Sequence, residues 1–392
     1  MELISKTAEL AAACDRLAGA DTITVDTEFM RETTYWPKLC VIQLASPDEA
    51  VIVDAMAPGI DLGPFFRLMA DEAVLKVFHS GRQDIEIVWH LGGLIPHPIF
   101  DTQVAAMVCG FGDSISYEQL VQRLTGGRID KSSRFTDWAR RPLSEKQITY
   151  AIEDVTHLRE VHLKLTAQLL TAGRRDWLKT EMDILTSVET YRQEPDEAWK
   201  RLKMRARRPV ELQLAKEISA WREREAQRRD MPRGRVLKDD ALYEIAAQQP
   251  ATEDALSALR SIGQGFARSR SGEEILAIVN RVLAIPRDQL PKLPRERSNN
   301  DANGAAVDLL KVLLKMTSES HGVAPKLIAN VDDLEAIAAD DEADVPALSG
   351  WRRQLFGETA LRLKRGEVAL KLNGRKVLLV ESGGPGTAEA AE

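Results

Sequence analysis

The chain has 392 residues, with 53 Lys and Arg against 60 Asp and Glu, for a net charge of −7. That length suits two or three domains rather than one core. The acidic balance argues against indiscriminate nucleic-acid binding over the whole surface. No apolar run approaches the roughly 18 to 20 residues needed to span a bilayer, and the N-terminus carries no signal-peptide pattern. Cys14, Cys40 and Cys109 form neither a metal-ligand spacing nor a disulfide framework. A soluble, cytoplasmic protein is expected.

The first informative element is Thr24-Val25-Asp26-Thr27-Glu28-Phe29, read as a buried strand. Strand side chains alternate, so Ile23, Val25 and Thr27 share one face and Thr24, Asp26 and Glu28 the other. Two acids on one face of an apolar strand repel each other and lose hydration unless a cation lies between them. A divalent metal held by hard oxygen ligands is one answer; a solvated strand end is the other. Phe29 and Met30 follow the pair, and core packing is one role open to Phe29.

A second strand at Leu75 to Ser80 leads through Gly81-Arg82-Gln83-Asp84 into an apolar-periodic helix, with Asp84 in its first turn. An acid there also suits the helix dipole. His79, at the strand end, reads as a substrate contact or as a satisfied core-edge histidine. Lys131, Arg134, Arg140 and Arg141 lie in the loop before the next helix; they either meet phosphates or are solvated loop charges. That helix opens at Ser144, with Gln147 three residues later, a capping-box signature. Tyr150 and Asp154 are four apart and share one of its faces. His157 and His162 on the same helix match no zinc motif and read as helix surface.

Asp26-x-Glu28, then Asp84, then Tyr150-x-x-x-Asp154 resemble the three motifs of the DEDDy 3′-5′ exonucleases. Asp26-Thr-Glu-Phe-Met-Arg, Tyr35-Trp-Pro-Lys-Leu-Cys-Val-Ile-Gln-Leu and Asp130-Lys-Ser-Ser-Arg-Phe-Thr-Asp-Trp-Ala-Arg-Arg-Pro-Leu resemble the bacterial ribonuclease D family. The resemblance covers roughly residues 1–195 and implies an α/β ribonuclease H-like (DnaQ-like) exonuclease domain with a mixed sheet. It implies that Asp26, Glu28, Asp84 and Asp154 hold two divalent ions, Mg²⁺ or Mn²⁺. Tyr150 then orients the attacking water, Phe29 and Met30 are placed to stack on the terminal base, and nucleoside 5′-monophosphates leave an RNA 3′ end one at a time. Transfer-RNA precursors and other small structured RNAs with a single-stranded 3′ end are the implied substrates.

Residues 196–207 read as a basic linker. Across 200–235 there are thirteen Lys and Arg against five Asp and Glu, densest in Lys200–Arg208, which holds six cations and no acid. A phosphate-backbone contact and a solvated linker are both open readings. Helical patterning then runs over 208–288, with Leu212, Leu214, Ile218 and Trp221 as apolar anchors and Asp239 or Asp240 capping a later helix. The Trp221-Arg-Glu-Arg-Glu and Met231-Pro-Arg-Gly-Arg strings resemble the HRDC domain, a small all-α nucleic-acid or protein contact module. Residues 289–304 have linker composition. A second, divergent HRDC-like domain is expected over 305–380, its end carrying a hairpin signal around Asn373-Gly374. The tail, 381–392, has a disordered composition.

A monomer with no membrane association is expected. A DNA exonuclease uses the same metal chemistry, and only contacts to the 2′-OH separate the two. A non-catalytic RNA-binding scaffold is the reading from a different class. A helicase is not expected, because no G-x-x-x-x-G-K-[ST] loop occurs in the chain.

Overall fold

The computed structural model describes residues 3–130, 136–293 and 304–382. Its first body opens with β1 (Leu3–Ile4), α1 (Thr7–Leu17), β2 (Thr22–Met30), β3 (Lys38–Ala45) and β4 (Ala50–Asp54). It continues through α2 (Gly63–Ala70), β5 (Leu75–Phe78), α3 (Arg82–Gly92), β6 (Ile99–Asp101) and α4 (Thr102–Val108). Helices α5 (Tyr117–Thr125), α6 (Glu145–Thr171) and α7 (Arg175–Leu185) complete it. The sheet order is β1-β4-β3-β2-β5-β6. Strand β3 is antiparallel to both neighbours, while β2, β5 and β6 run parallel, so the sheet is mixed as expected.

Strand β2 is central, and its alternation divides the domain. Ile23 and Val25 join Leu10, Leu17, Phe65, Met69, Ile85 and Val88 of α1–α3 in one buried core. The opposite face lies under α6, which touches β2, β3, β4 and β5, and there the Thr24 hydroxyl donates to the Val155 carbonyl at 2.8 Å. The Ser144–Gln147 capping box forms at the start of α6. Further along, His162 departs from the surface role expected of it. It is only 8% exposed and packs edge-on to Phe100 with ring centroids 4.6 Å apart.

The second body holds α8 (Pro209–Arg229), α9 (Arg233–Val236), α10 (Asp239–Gln248), α11 (Glu253–Ser257) and α12 (Arg270–Leu283). Leu214, Ile218, Leu242, Ile245 and Val279 form its core, separate from that of the sheet. Lys238, not Asp239 or Asp240, takes the N-cap position of α10, and Asp239 instead accepts from Arg222. The body docks through the β2–β3 loop. Tyr35, 4% exposed, is buried in its core and donates to Glu223, while Arg233 covers the ring at 4.7 Å. The Tyr35 and Trp36 amides both donate to Asp230 Oδ1 at 3.0 Å. Trp36 also stacks on His90 of α3 at 4.1 Å.

The third body holds α13 (Gly304–His321), α14 (Pro325–Ile328), α15 (Val331–Ala339), α16 (Gly350–Arg352) and α17 (Glu358–Lys364). The expected hairpin follows as β7 (Val368–Asn373) and β8 (Lys376–Glu381), with Gly374 and Arg375 as the turn residues. This body shares one continuous core with the sheet domain. Trp177 and Trp351 stack at 4.6 Å, Arg352 pairs with buried Glu181, and the Ala324 amide donates to the Met107 carbonyl at 2.9 Å. At this junction Gly110 has φ +84°, and a Cβ on it would lie 2.5 Å from the Gly322 carbonyl oxygen. Residues 294–303 and the tail beyond 382 lie outside the described residues.

Burial pushes His162 down to about 4, against about 6.5 in an unfolded chain. Between those values the unfolded chain binds a proton that the folded chain refuses. Stability is therefore full above pH 6.5 and falls as pH drops toward 4. Urea unfolding of wild type should lose about 2 kcal/mol from this group between pH 7 and pH 5, and His162→Leu should remove that share of the loss.

Candidate active site

Three elements converge on one cleft of about 390 Å³. Asp26 and Glu28 come from β2, Asp84 from the first turn of α3, and Tyr150 and Asp154 from one face of α6; all five line it. Carboxylate oxygens of Asp26, Glu28 and Asp154 lie within 4.8 Å of one another. Asp84 stands outside that triad and accepts a hydrogen bond from the Thr27 hydroxyl. Because Thr27 alternates to the other face of β2, Asp84 reaches the cleft from the α3 side.

The electrostatics follow from this crowding. Burial holds the Asp26 carboxyl well above the usual range, and the nearby Asp84, Asp154 and Glu28 charges add to the effect. Asp84 is pushed up to about 6 by burial, against the opposing pull of Thr27. Burial and the Asp154 charge push the Tyr150 hydroxyl up, so it stays protonated, and it hydrogen-bonds Asp154. Such a cluster is costly without a cation. Its donors are all hard carboxylate oxygens, which fit Mg²⁺ or Mn²⁺ better than zinc.

The remaining sequence candidates separate. Phe29 and His79 line the cleft. His79 Nδ1 meets the Thr102 hydroxyl at 3.0 Å, and burial lowers its pKa. Met30 turns away and packs with Cys40, Val41 and Trp138. Arg141 is a structural tie, gripping Asp54 at 2.6 and 2.8 Å and the Cys40 carbonyl at 2.8 Å. Arg140 is exposed, and Lys131 and Arg134 lie outside the described residues.

Three side chains that sequence reasoning passed over support the site. The Tyr117 hydroxyl, in the cleft wall, donates to the Asp154 carbonyl at 2.6 Å; the Ser116 cap marks its helix but says nothing of where the ring goes. Gln43 sits opposite Asp26 in register, and both its amide atoms are buried with no hydrogen-bond partner among the described residues. Asp101 holds the turn before α3, where Ser80 has φ +59°. Its carboxylate accepts from the Ser80 and Gly81 amides at 3.1 and 2.8 Å and caps α4 through Gln103 and Val104. Gly81 is required at that turn, since a Cβ would lie 2.5 Å from Phe78.

Asp101 thus sets the start of the helix that carries Asp84. Asp101→Ala should cost about 2 to 3 kcal/mol in unfolding. Because Asp84 moves with the turn, it should also raise the Mg²⁺ concentration needed for half-maximal activity; Asp101→Asn should sit between variant and wild type.

A family model described as 3′-5′ exonuclease matches residues 1–170, and one for the HRDC domain matches residues 211–279, within α8–α12. A ribonuclease D of Nitrobacter hamburgensis is 60% identical over 382 residues, covering 97% of this chain and 100% of that protein. One from Granulibacter bethesdensis is 50% identical over 382 residues, covering 97% of each. The fold is similar to that of Escherichia coli RNase D, described as an exoribonuclease involved in structured RNA processing. The TM-score is 0.82 at 26% identity, covering 93% of this chain and 98% of that one. With the acidic cleft, the mixed sheet and near full-length identity in agreement, the chain belongs to the ribonuclease D family.

Proposed function

We propose that this metal-dependent 3′-5′ exoribonuclease removes nucleotides singly from RNA through the acidic cleft, releasing nucleoside 5′-monophosphates. The observation that carries the reading is the triad of Asp26, Glu28 and Asp154, with oxygens within 4.8 Å of one another, beside Asp84 and Tyr150. In this reading Asp26, Glu28 and Asp154 hold one divalent ion, and Asp26 with Asp84 holds a second. When bound, such ions stabilise the attacking and leaving oxygens of an in-line displacement. Mg²⁺ and Mn²⁺ suit the donor set.

The chain's own groups do the rest. Tyr150, kept protonated by burial and by Asp154, orients the attacking water by hydrogen bonding. Tyr117 holds the backbone of α6 at Asp154, so the carboxylate keeps its aim. Phe29 offers an apolar face to the terminal base without reading its identity. The cleft has the volume of a small-ligand pocket, room for a terminal nucleotide and not for a duplex, which favours a single-stranded 3′ end. Structured RNAs such as transfer-RNA precursors are the proposed substrates, in line with the description of the Escherichia coli enzyme, and a cytoplasmic monomer is the proposed form.

The test uses a 5′-labelled RNA with a single-stranded 3′ extension and a matched DNA, each with Mg²⁺, Mn²⁺ or chelator. Wild type should shorten the RNA in one-nucleotide steps, and chelator should stop it. Asp154→Asn should lower the rate about 10³-fold or more, and Tyr150→Phe about 10²-fold. Internal cuts, or intact RNA under every condition, would overturn the proposal. Equal digestion of the DNA would overturn only its RNA preference.

A further inference from the structure

The densest basic stretch of the chain is anchored in place. Residues Pro195–Arg201 form a 3₁₀ helix along α8, and a non-helical segment follows, bending at Arg207 and Arg208 into the start of α8. Leu202 and Arg208 both have extended dihedrals. Between them, burial alternates residue by residue. Leu202, Met204 and Ala206 are half-buried, with Leu202 and Met204 packed on the HRDC core, while Lys203, Arg205 and Arg207 are exposed. The Lys203 amide is pinned by the Tyr243 hydroxyl at 3.1 Å, and the Arg207 amide by Glu211 at 2.7 Å.

Most cations of this region are paired, and Arg235 on α9 is exposed without an ion pair among the described residues. Lys200 pairs with Glu197, Arg201 with Glu223, Arg208 with Glu211 and Arg222 with Asp239. Arg228 and Arg229 share Glu225, and Arg233 takes Glu223. Lys203, Arg205 and Arg207 carry no ion pair or side-chain hydrogen bond among the described residues. They put three adjacent unneutralised cations on one edge of a chain whose net charge is −7. Alternate residues of an extended segment are about 6.6 Å apart, comparable to the separation of successive phosphates along a nucleic-acid strand.

We infer that residues 203–207 form a phosphate track, in which Lys203, Arg205 and Arg207 hold the backbone of an RNA strand without reading its bases. The inference rests on the RNA reading of the cleft and adds a second contact to it. None of the three lines the cleft, so they engage nucleotides 5′ to those at the carboxylates. The track also starts beside the catalytic body: Glu223, which holds Arg201, also holds Tyr35 of the loop that follows β2. The apolar anchors give the cations a fixed spacing, so less ordering entropy is lost on binding than for a free linker.

The test uses the full-length protein and a 20-nucleotide uridine RNA, with binding read in chelator so that cleavage plays no part. In Lys203→Gln/Arg205→Gln/Arg207→Gln, the slope of log affinity against log salt should flatten by about 2, and affinity at 0.1 M salt should fall about 100-fold. Cleavage of a trinucleotide, too short to reach the track, should keep wild-type kcat/KM. A control, Lys371→Gln/Arg375→Gln/Lys376→Gln on the exposed hairpin, changes the net charge equally and should leave the slope alone. Arg205→Lys/Arg207→Lys should keep the wild-type slope. An unchanged slope in the first variant, an equal loss in the control, or a parallel loss of trinucleotide cleavage would each overturn the track. Binding that depends on the track in a protein that cleaves nothing would sink the catalytic reading and leave the track standing.

Discussion

Like charges gathered in a partly dehydrated cleft repel, and Asp26 stands where that repulsion is greatest, with Asp84, Asp154 and Glu28 around it. The ordinary solution, spreading the acids into water, is unavailable because three elements bring them in. Strand β2 puts Asp26 and Glu28 on one face, α6 crosses that face with Asp154, and α3 sends Asp84 in beside Thr27. Much of the surrounding hydrogen bonding serves to hold these elements against the repulsion. Asp101 grips the β5–α3 turn, Tyr117 grips α6 at Asp154, and the Ser144–Gln147 box starts α6. Asp101 and Tyr117 act mainly on backbone, while two of the carboxylates are themselves engaged, Asp84 by the Thr27 hydroxyl and Asp154 by Tyr150. A site held in this way is costly when empty and is relieved by hard cations, the usual tension between stability and function.

The two helical bodies answer different physical problems. The HRDC body has its own core and docks through a latch: a buried tyrosine ring, one Asp230 carboxylate oxygen shared by two backbone amides, and one stacked pair. That latch extends from the end of β2 and rests on α3 through the Trp36–His90 stack. Docking therefore touches both elements that bring acids from the sheet side. The third body has no independent core of this kind. Its apolar residues are continuous with those of α4 and α7, and the buried Arg352–Glu181 pair makes the junction specific, since a misregistered junction would strand a charge.

Charge on the surface is likewise divided by role. Arg141 read as a loop cation, either meeting phosphates or solvated, yet Asp54 and the Cys40 carbonyl consume it. Most of the arginines on α8 and around it are consumed in the same manner by glutamates one helical turn away or across a groove. Lys203, Arg205 and Arg207 escape because the segment that carries them is extended: its alternation turns them outward while Leu202 and Met204 hold it down.

The sequence by itself determined what local periodicity and fixed spacing encode. The face shared by Asp26 and Glu28 follows from the two-residue period of a strand, and the pairing of Tyr150 with Asp154 from the four-residue return of a helix. The α6 cap and the final hairpin are short-range for the same reason. The family motifs added the knowledge that these pieces meet. Tertiary structure alone decided what depends on distant partners. His162 is buried because Phe100 comes to it from β6, Met30 packs against the apolar cluster around Cys40 and Val41 and does not line the cleft, and Tyr117 enters the wall from a helix with no acidic motif. The Tyr35 string carried the family resemblance without a role of its own, and its ring serves to dock another body. No spacing along the chain encodes such contacts, because each is set by which faces the sheet and helices have left to cover.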